Sequence, residues 1–283
     1  MTACTARERR TPVCVRAATR GVSVASPTVA VARPAAEACF AAWGGEARCL
    51  LRVLRGNFHV VDDAMVQLYG ILEYRRKYDV DSLNPLDALT HPCKPFWVGE
   101  MVGFADDAHV KGCVVQVTVP RFVQPDLLVT KFRQEELDSF FIHWMELRLA
   151  RQRESIAQNA EGLNQDDRML EIYDLRGVGL KQFHRKGLKM LSNSIGLAQA
   201  NYPEDLCQTY IINAPRIFGA IWKVISLVLN ERTKSKIQVS TSDFDGRLAA
   251  LVGGEGRLAT ILQAVGPAPG NAADSAATGG QGQ

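Results

Sequence analysis

Few side chains in this sequence are spaced for chemistry. Gly177-Val178-Gly179 follows the strand-like run MLEIYD and precedes a helical stretch, the setting in which a glycine-rich turn cradles a phosphate. A dinucleotide fingerprint needs a third glycine where Gln182 stands, so a nucleotide site is not expected. No G-x-x-x-x-G-K-[ST] loop, H-E-x-x-H helix or G-x-S-x-G elbow occurs. His59, His91, His109, His143 and His184 are scattered, and His91 and Cys93 flank a proline, which reads as a loop rather than a metal pair. No nucleophile, base and acid assemble, so no enzyme activity, metal or cofactor is expected. In KQFHRKGLKM, Lys181, Arg185 and Lys189 fall four apart on one helix face. That face suits an anionic lipid surface, but a solvated face is the preferred reading.

Composition narrows the class further. The 283 residues are 47% hydrophobic, enough for one sizeable core with a small accessory domain. A net charge of +3 is too mild for a dedicated nucleic-acid binder. Seven widely spaced cysteines without a C-x-x-C pair argue against a disulfide framework or zinc site and fit a reducing compartment. No apolar run reaches the roughly 18–20 residues that span a bilayer, so any membrane contact is expected to be peripheral.

The elements that would position functional groups lie between two uninformative ends. Residues 1–36 hold several arginines against the single acid Glu8 up to position 34 and read as a disordered arm, or as an organelle-targeting segment over residues 1–34. Residues 263–283, rich in Gly, Ala and Pro, read as a disordered tail. Residues 37–83 form a small helical domain. Leu50, Leu51 and Leu54 line one helix face; a second helix starts near Asp62 and Asp63, carries Ala64, Leu68, Ile71 and Leu72, and ends in Arg75, Arg76 and Lys77. The proline-rich stretch 84–95 reads as a linker. The second domain, 90–262, alternates β runs (113–119, 169–174, 209–213, 236–239) with helices. One helix buries Leu137, Phe140, Trp144 and Leu147, a second carries Leu188, Leu191, Ile195 and Ala198, and a third carries Ile217, Phe218, Ile221, Trp222, Ile225 and Val228. This alternation predicts an α/β fold with a mainly parallel sheet covered by helices.

The stretch QANYPEDLCQTYIINAPRIFGAIWKVISLVLNERTKSKIQV (199–239) resembles the CRAL-TRIO lipid-binding domain of phosphatidylinositol/phosphatidylcholine transfer proteins. It has Tyr-Pro-Glu, a strand ending in Asn-Ala-Pro, an apolar helix, and Ser-Lys-Ile opening the next strand, in that order and spacing. LLRVLRGNFHV (50–60), EYRRKYDVD (73–81), IYDLRGVGL (172–180) and Gly253-Gly254 extend the resemblance over about 46–256. It implies an α/β domain enclosing an apolar pocket, with a helical domain before it. The cargo would be one membrane lipid, with no other cofactor. The implied protein is a cytoplasmic monomer that touches membranes transiently and binds no nucleic acid.

The resemblance also implies roles for individual residues. Glu204, Thr233 and Lys236 match positions that hold an inositol headgroup, with carboxylate accepting sugar hydroxyls and Lys meeting phosphate. Phe218, Ile221, Trp222 and Ile225 would face lipid tails from a lid helix. The pattern alone fits an ordinary helix covering a sheet, and Pro203-Glu204 alone fits a helix N-terminus. Asp205 stands where the family often has Arg, which opposes a phosphate, and Gly56-Asn57 replace a basic pair. Few hydroxyls surround Gly179, so choline-lipid exchange is less supported than phosphatidylinositol binding. Alternatives are a module presenting phosphoinositide to a kinase or partner, and a carrier of a sterol- or tocopherol-like ligand. Two acyl chains hold about 30 methylenes, so unassisted passage through water faces a barrier on the order of 20 kcal/mol. A pocket lined by Leu, Ile, Val and Phe would remove most of it.

Overall fold

The computed structural model describes residues 33–105, 107, 110–158, 167–179, 185–242 and 246–265. Nearly all of the expected arm and tail lie outside these residues, as do Lys181, Gln182, His109 and His184. The helical domain comprises α1 (Arg33–Ala42), α2 (Glu46–Gly56) and α3 (Val61–Lys77). It starts earlier than expected, with Pro34 in the first turn of α1, where a missing N–H has no helical partner to lose. The α3 reading holds: Ala64, Leu68 and Ile71 are buried and the basic cluster closes the helix. The α2 reading needs correction. Its buried side is Arg48, Cys49, Arg52 and Val53, and Leu50 and Leu54 pack only partly. Two arginines face inward because Asp167 pairs with both, at 3.3 Å and 3.0 Å.

The stretch expected as a linker is instead built into the body. Short 3-10 turns at Val80–Ser82, Pro85–Leu89 and Lys94–Phe96 run along the main domain. Ala88 and Cys93 are fully buried in a cluster with Phe140, Trp144 and Leu147. Pro85 at the first position of one of these turns and Pro95 at the second of another set the backbone without requiring an open loop.

The main domain is one five-stranded sheet: β1 (Gly99–Phe104), β2 (Val114–Thr118), β3 (Met169–Asp174), β4 (Leu206–Ile212) and β5 (Ile237–Val239). Strand order follows chain order; β1 and β2 are antiparallel and every other pair is parallel. The runs read as strands are β2 to β5. Right-handed crossovers that always step the same way place their helices on one face of a sheet. Those helices are α4 (Pro125–Lys131), α5 (Gln134–Gln158), α6 (Arg185–Asn201), α7 (Phe218–Ile225) and α8 (Glu231–Lys234).

The opposite face is closed by α9 (Arg247–Leu251) and α10 (Glu255–Ala264). Val115, Val117, Leu170, Ile172 and Ile212 pack there on Leu248, Val252, Leu258 and Ile261 in a continuous apolar cluster. Each such buried side chain contributes roughly 1.5–3 kcal/mol. Gly253 and Gly254, both at positive φ, make the corner between α9 and α10 that a side chain would resist.

Candidate functional site

On the crossover face the molecule is hollow. A cavity of about 560 Å³ lies between the sheet, α4, α5, α6, α7 and the turn into β5, within the range of small-molecule sites. Its helical walls are largely apolar: Phe140 and Trp144 of α5, Leu188, Leu191 and Ile195 of α6, Phe218 of α7. Only Gly187 and Asn201 of the 17 residues of α6 are buried, because its apolar face looks onto the void.

The floor departs from the expected all-apolar lining. Strand alternation turns Gln116, Glu171 and Thr209, paired in register across β2, β3 and β4, toward the cavity, with Thr118 and Tyr173 in the next row. These side chains are tied together. Arg148 of α5 donates to Glu171 at 2.6 Å and to Asp205 at 2.5 Å. Gln152 donates to Asp205 at 2.5 Å, Thr209 to Glu171 at 3.2 Å and Trp144 to Gln116 at 3.2 Å. Burial works against the charge of Arg148, but Asp205 and Glu171 outweigh it and raise its pKa. Asp205 is therefore not the bare carboxylate opposing a phosphate that the sequence suggested; it points inward and accepts from Arg148 and Gln152.

Glu204 and Lys236 meet at the rim. Lys236 Nζ donates to Glu204 Oε2 at 3.1 Å and to the Leu206 carbonyl at 2.8 Å. Two further cations, which sequence reasoning missed, complete the cluster. Arg232 forks both Glu204 oxygens through Nε and Nη2, and Arg168 lies 3.5 Å from Oε2. One carboxylate thus faces three cations. Arg232 adjoins Thr233 in ERTKSK, and that basic run was the available signal; Arg168 only precedes β3 and gave none. Thr233 lines the same cavity, its N–H donating to Asn230 Oδ1 at 2.7 Å.

Burial raises the pKa of the Glu204 carboxyl, but hydrogen bonds from Arg232 and the charge of Lys236 prevail and hold it below the usual glutamate value. Burial lowers that of Lys236, and Glu204 only partly offsets this while Arg168 adds to it.

Local backbone fixes the rim. Glu204 has φ 54°, so Pro203-Glu204 is a left-handed turn and not the first turn of a helix. Tyr202, on the other side of Pro203, is buried and donates to Glu146 Oε1 at 3.0 Å. Arg75 of α3 also bonds Glu146, at 2.8 Å and 3.2 Å. Gly56 packs against this turn: a Cβ there would stand 3.2 Å from the Cβ of Pro203. In the Gly-Val-Gly turn the Val178 N–H bonds the Leu175 carbonyl at 3.1 Å. Asp174 accepts there from the Arg176 N–H and from Asn213, each at 2.9 Å.

The third helix is shorter than its apolar pattern. Phe218, Trp222 and Ile225 of α7 line the cavity at i, i+4 and i+7. Ile221 does not: it flanks that stripe and is buried with Leu175, Val178, Ile211 and Ala214. The outward side carries Val224 at 46% exposure, with Leu227 at 82% in the turn beyond. Arg185 and Lys189 on α6 are exposed. Among the described residues no group of three or more His, Cys, Asp or Glu could hold a metal, and no helix is long and apolar enough to cross a membrane.

Comparison with known proteins agrees with this geometry. The model of the CRAL/TRIO domain matches residues 103–255, more than half of the chain. A CRAL-TRIO domain-containing protein of Caenorhabditis elegans is 36% identical over 69 residues, 24% of this chain and 10% of its own length. The phosphatidylinositol/phosphatidylcholine transfer protein SFH7 of Arabidopsis thaliana is 35% identical over 82 residues, 29% of this chain and 15% of its own. Protein real-time of Drosophila pseudoobscura pseudoobscura is 27% identical over 190 residues, 66% of this chain and 27% of its own. The matches thus span about a tenth to a quarter of those relatives. The crystal structure of Sfh5 superposes with a TM-score of 0.51 at 18% identity, covering 78% of this chain and 76% of that one, which establishes the fold.

Proposed function

Because this chain belongs to the CRAL/TRIO domain family of lipid-binding and lipid-transfer proteins, we propose that it carries one membrane lipid, phosphatidylinositol first among the candidates, with its tails in the cavity. The observation that carries the reading is the rim cluster. Arg168, Arg232 and Lys236 converge on the single Glu204 carboxylate where the apolar cavity opens. Cations gathered at the cavity mouth suit a phosphodiester, and a carboxylate fixed among them suits the hydroxyls of a sugar-like headgroup. Thr233 lies at the same rim. The name of the similar Arabidopsis protein points the same way.

Helix α7 is the lid of this reading. Phe218, Trp222 and Ile225 cover the tails from inside, while Val224 and Leu227 give it an apolar outer side suited to a bilayer surface. The protein acts as a monomer in transient contact with membranes, and the reading assigns it no catalysis.

The test is transfer of labelled phosphatidylinositol between vesicles, together with mass spectrometry of co-purified lipid. Lys236→Ala combined with Arg232→Ala lowers transfer at least tenfold while thermal melting keeps one cooperative transition. Wild-type transfer by that double variant removes the headgroup assignment. Purified protein with no lipid, and unable to take any up from vesicles, removes the carrier reading as a whole.

A further inference from the structure

The cavity has a second polar place, remote from the rim, that no feature above uses. Thr118 is 2% exposed, faces the cavity, and its Oγ1 has no hydrogen-bond partner. Trp97 also lines the cavity, and its indole Nε1 is buried and without a partner. Both atoms lie beside Gly99: a Cβ built there would stand 3.0 Å from each of them. They are therefore no farther apart than twice that distance, and one small group can reach both. Strand register puts this niche three strands and about three residues from Lys236, roughly 17 Å away at ordinary strand spacing and rise.

We propose that Trp97 and Thr118 form a buried subsite for a neutral oxygen, a hydroxyl or carbonyl, borne by an otherwise apolar ligand. The inference rests on the carrier reading but not on the headgroup chemistry at the rim. Trp97 N–H only donates, so the group it meets must accept. Thr118 both donates and accepts, which suits a carbonyl or a hydroxyl equally. An anion is disfavoured because the nearby floor holds Glu171 and Asp205 against Arg148 alone. A cation finds no acceptor on Trp97. A plain hydrocarbon end would leave two buried donors unsatisfied, which the interior of a protein tolerates poorly. The niche thus selects among hydrophobic ligands for those oxygenated at the end held away from the rim cluster.

The test uses the delipidated full chain offered 1-octadecanol or octadecane from cyclodextrin, with retained ligand measured by native mass spectrometry. Wild type retains the alcohol at least tenfold better than the alkane. In Trp97→Phe with Thr118→Val the preference falls below threefold, and Thr118→Val alone gives an intermediate value should the double variant melt early. Thr118→Ser keeps the preference. Equal retention by wild type, or an undiminished preference in both Val variants, overturns the subsite. Phosphatidylinositol loading is measured in parallel. Uptake of phosphatidylinositol and octadecane without alcohol preference sinks the subsite alone, whereas uptake of nothing apolar sinks the carrier reading and the subsite with it.

Discussion

Replacing Arg148 by methionine tests whether the polar floor is held by charge. The guanidinium is buried and binds two carboxylates that are themselves buried, Glu171 at 2.6 Å and Asp205 at 2.5 Å. Methionine fills similar space but leaves both carboxylates facing the cavity without a cation. Removing one partner of a buried ion pair costs about 3–5 kcal/mol, against a total stability of about 5–15 kcal/mol. For a protein of this size that corresponds to a fall in Tm of about 6–20 °C. Thr209 and Gln152 still donate to the two carboxylates, which favours the lower half of the range. The decisive comparison adds Glu171→Gln and Asp205→Asn to Arg148→Met. That set removes all three charges while Thr209 and Gln152 keep their acceptors, and it recovers at least half of the loss because an uncharged network no longer needs a counterion. Calorimetry and urea unfolding measure both. A loss below about 1 kcal/mol for Arg148→Met, or a triple variant no more stable than the single one, would refute the reasoning.

Three further outcomes follow from the same geometry. Tyr202→Phe removes one hydrogen bond to Glu146 and costs about 0.5–1.5 kcal/mol, whereas Arg75→Ala strands Glu146 in the interior and costs about 3–5 kcal/mol; equal losses in urea unfolding contradict a charge-based lock between α3 and α5. Glu204 has a folded pKa below its unfolded one, so its contribution to stability is present above the ordinary glutamate value of about 4.3 and is lost as pH falls through the lower folded value. Melting curves of wild type and Glu204→Gln should differ at neutral pH and converge in that acid window; a constant difference from neutral to acid pH contradicts it. Val224→Asp with Leu227→Asp changes only exposed positions, so melting stays within about 0.5 kcal/mol of wild type while co-sedimentation with vesicles falls; unchanged co-sedimentation removes these residues from the membrane surface.

Some of this architecture can be read directly from residues and some cannot. The strands β2 to β5 announce themselves because runs such as CVVQVTV and TYIIN are short and rich in β-branched or aromatic residues. Strand β1 does not: Gly99, Met101 and Gly103 are weak strand formers, and its register slips between Met101 and Gly103. Helices form over the expected N-terminal stretch, but Arg48 and Arg52 turn inward because Asp167, more than a hundred residues later, waits for them. No local pattern carries that information. Glu204 and Lys236 could be singled out only through the family resemblance of Tyr-Pro-Glu and Ser-Lys-Ile; the fold brings them together, and Arg168 arrives from just before β3. The floor misleads most. Alternation of Val115 and Val117 with Gln116 and Thr118 ordinarily means one face in the core and one in water. Here the polar face is roofed by helices across a void, and a sequence does not distinguish a roof from solvent.

The sheet acts as a bulkhead. Behind it, Val115, Ile172, Leu258 and their neighbours form a solid block. In front of it lies the void. Cohesion and capacity therefore sit on separate sides of one wall, so residues facing the void can change without loosening the block behind it.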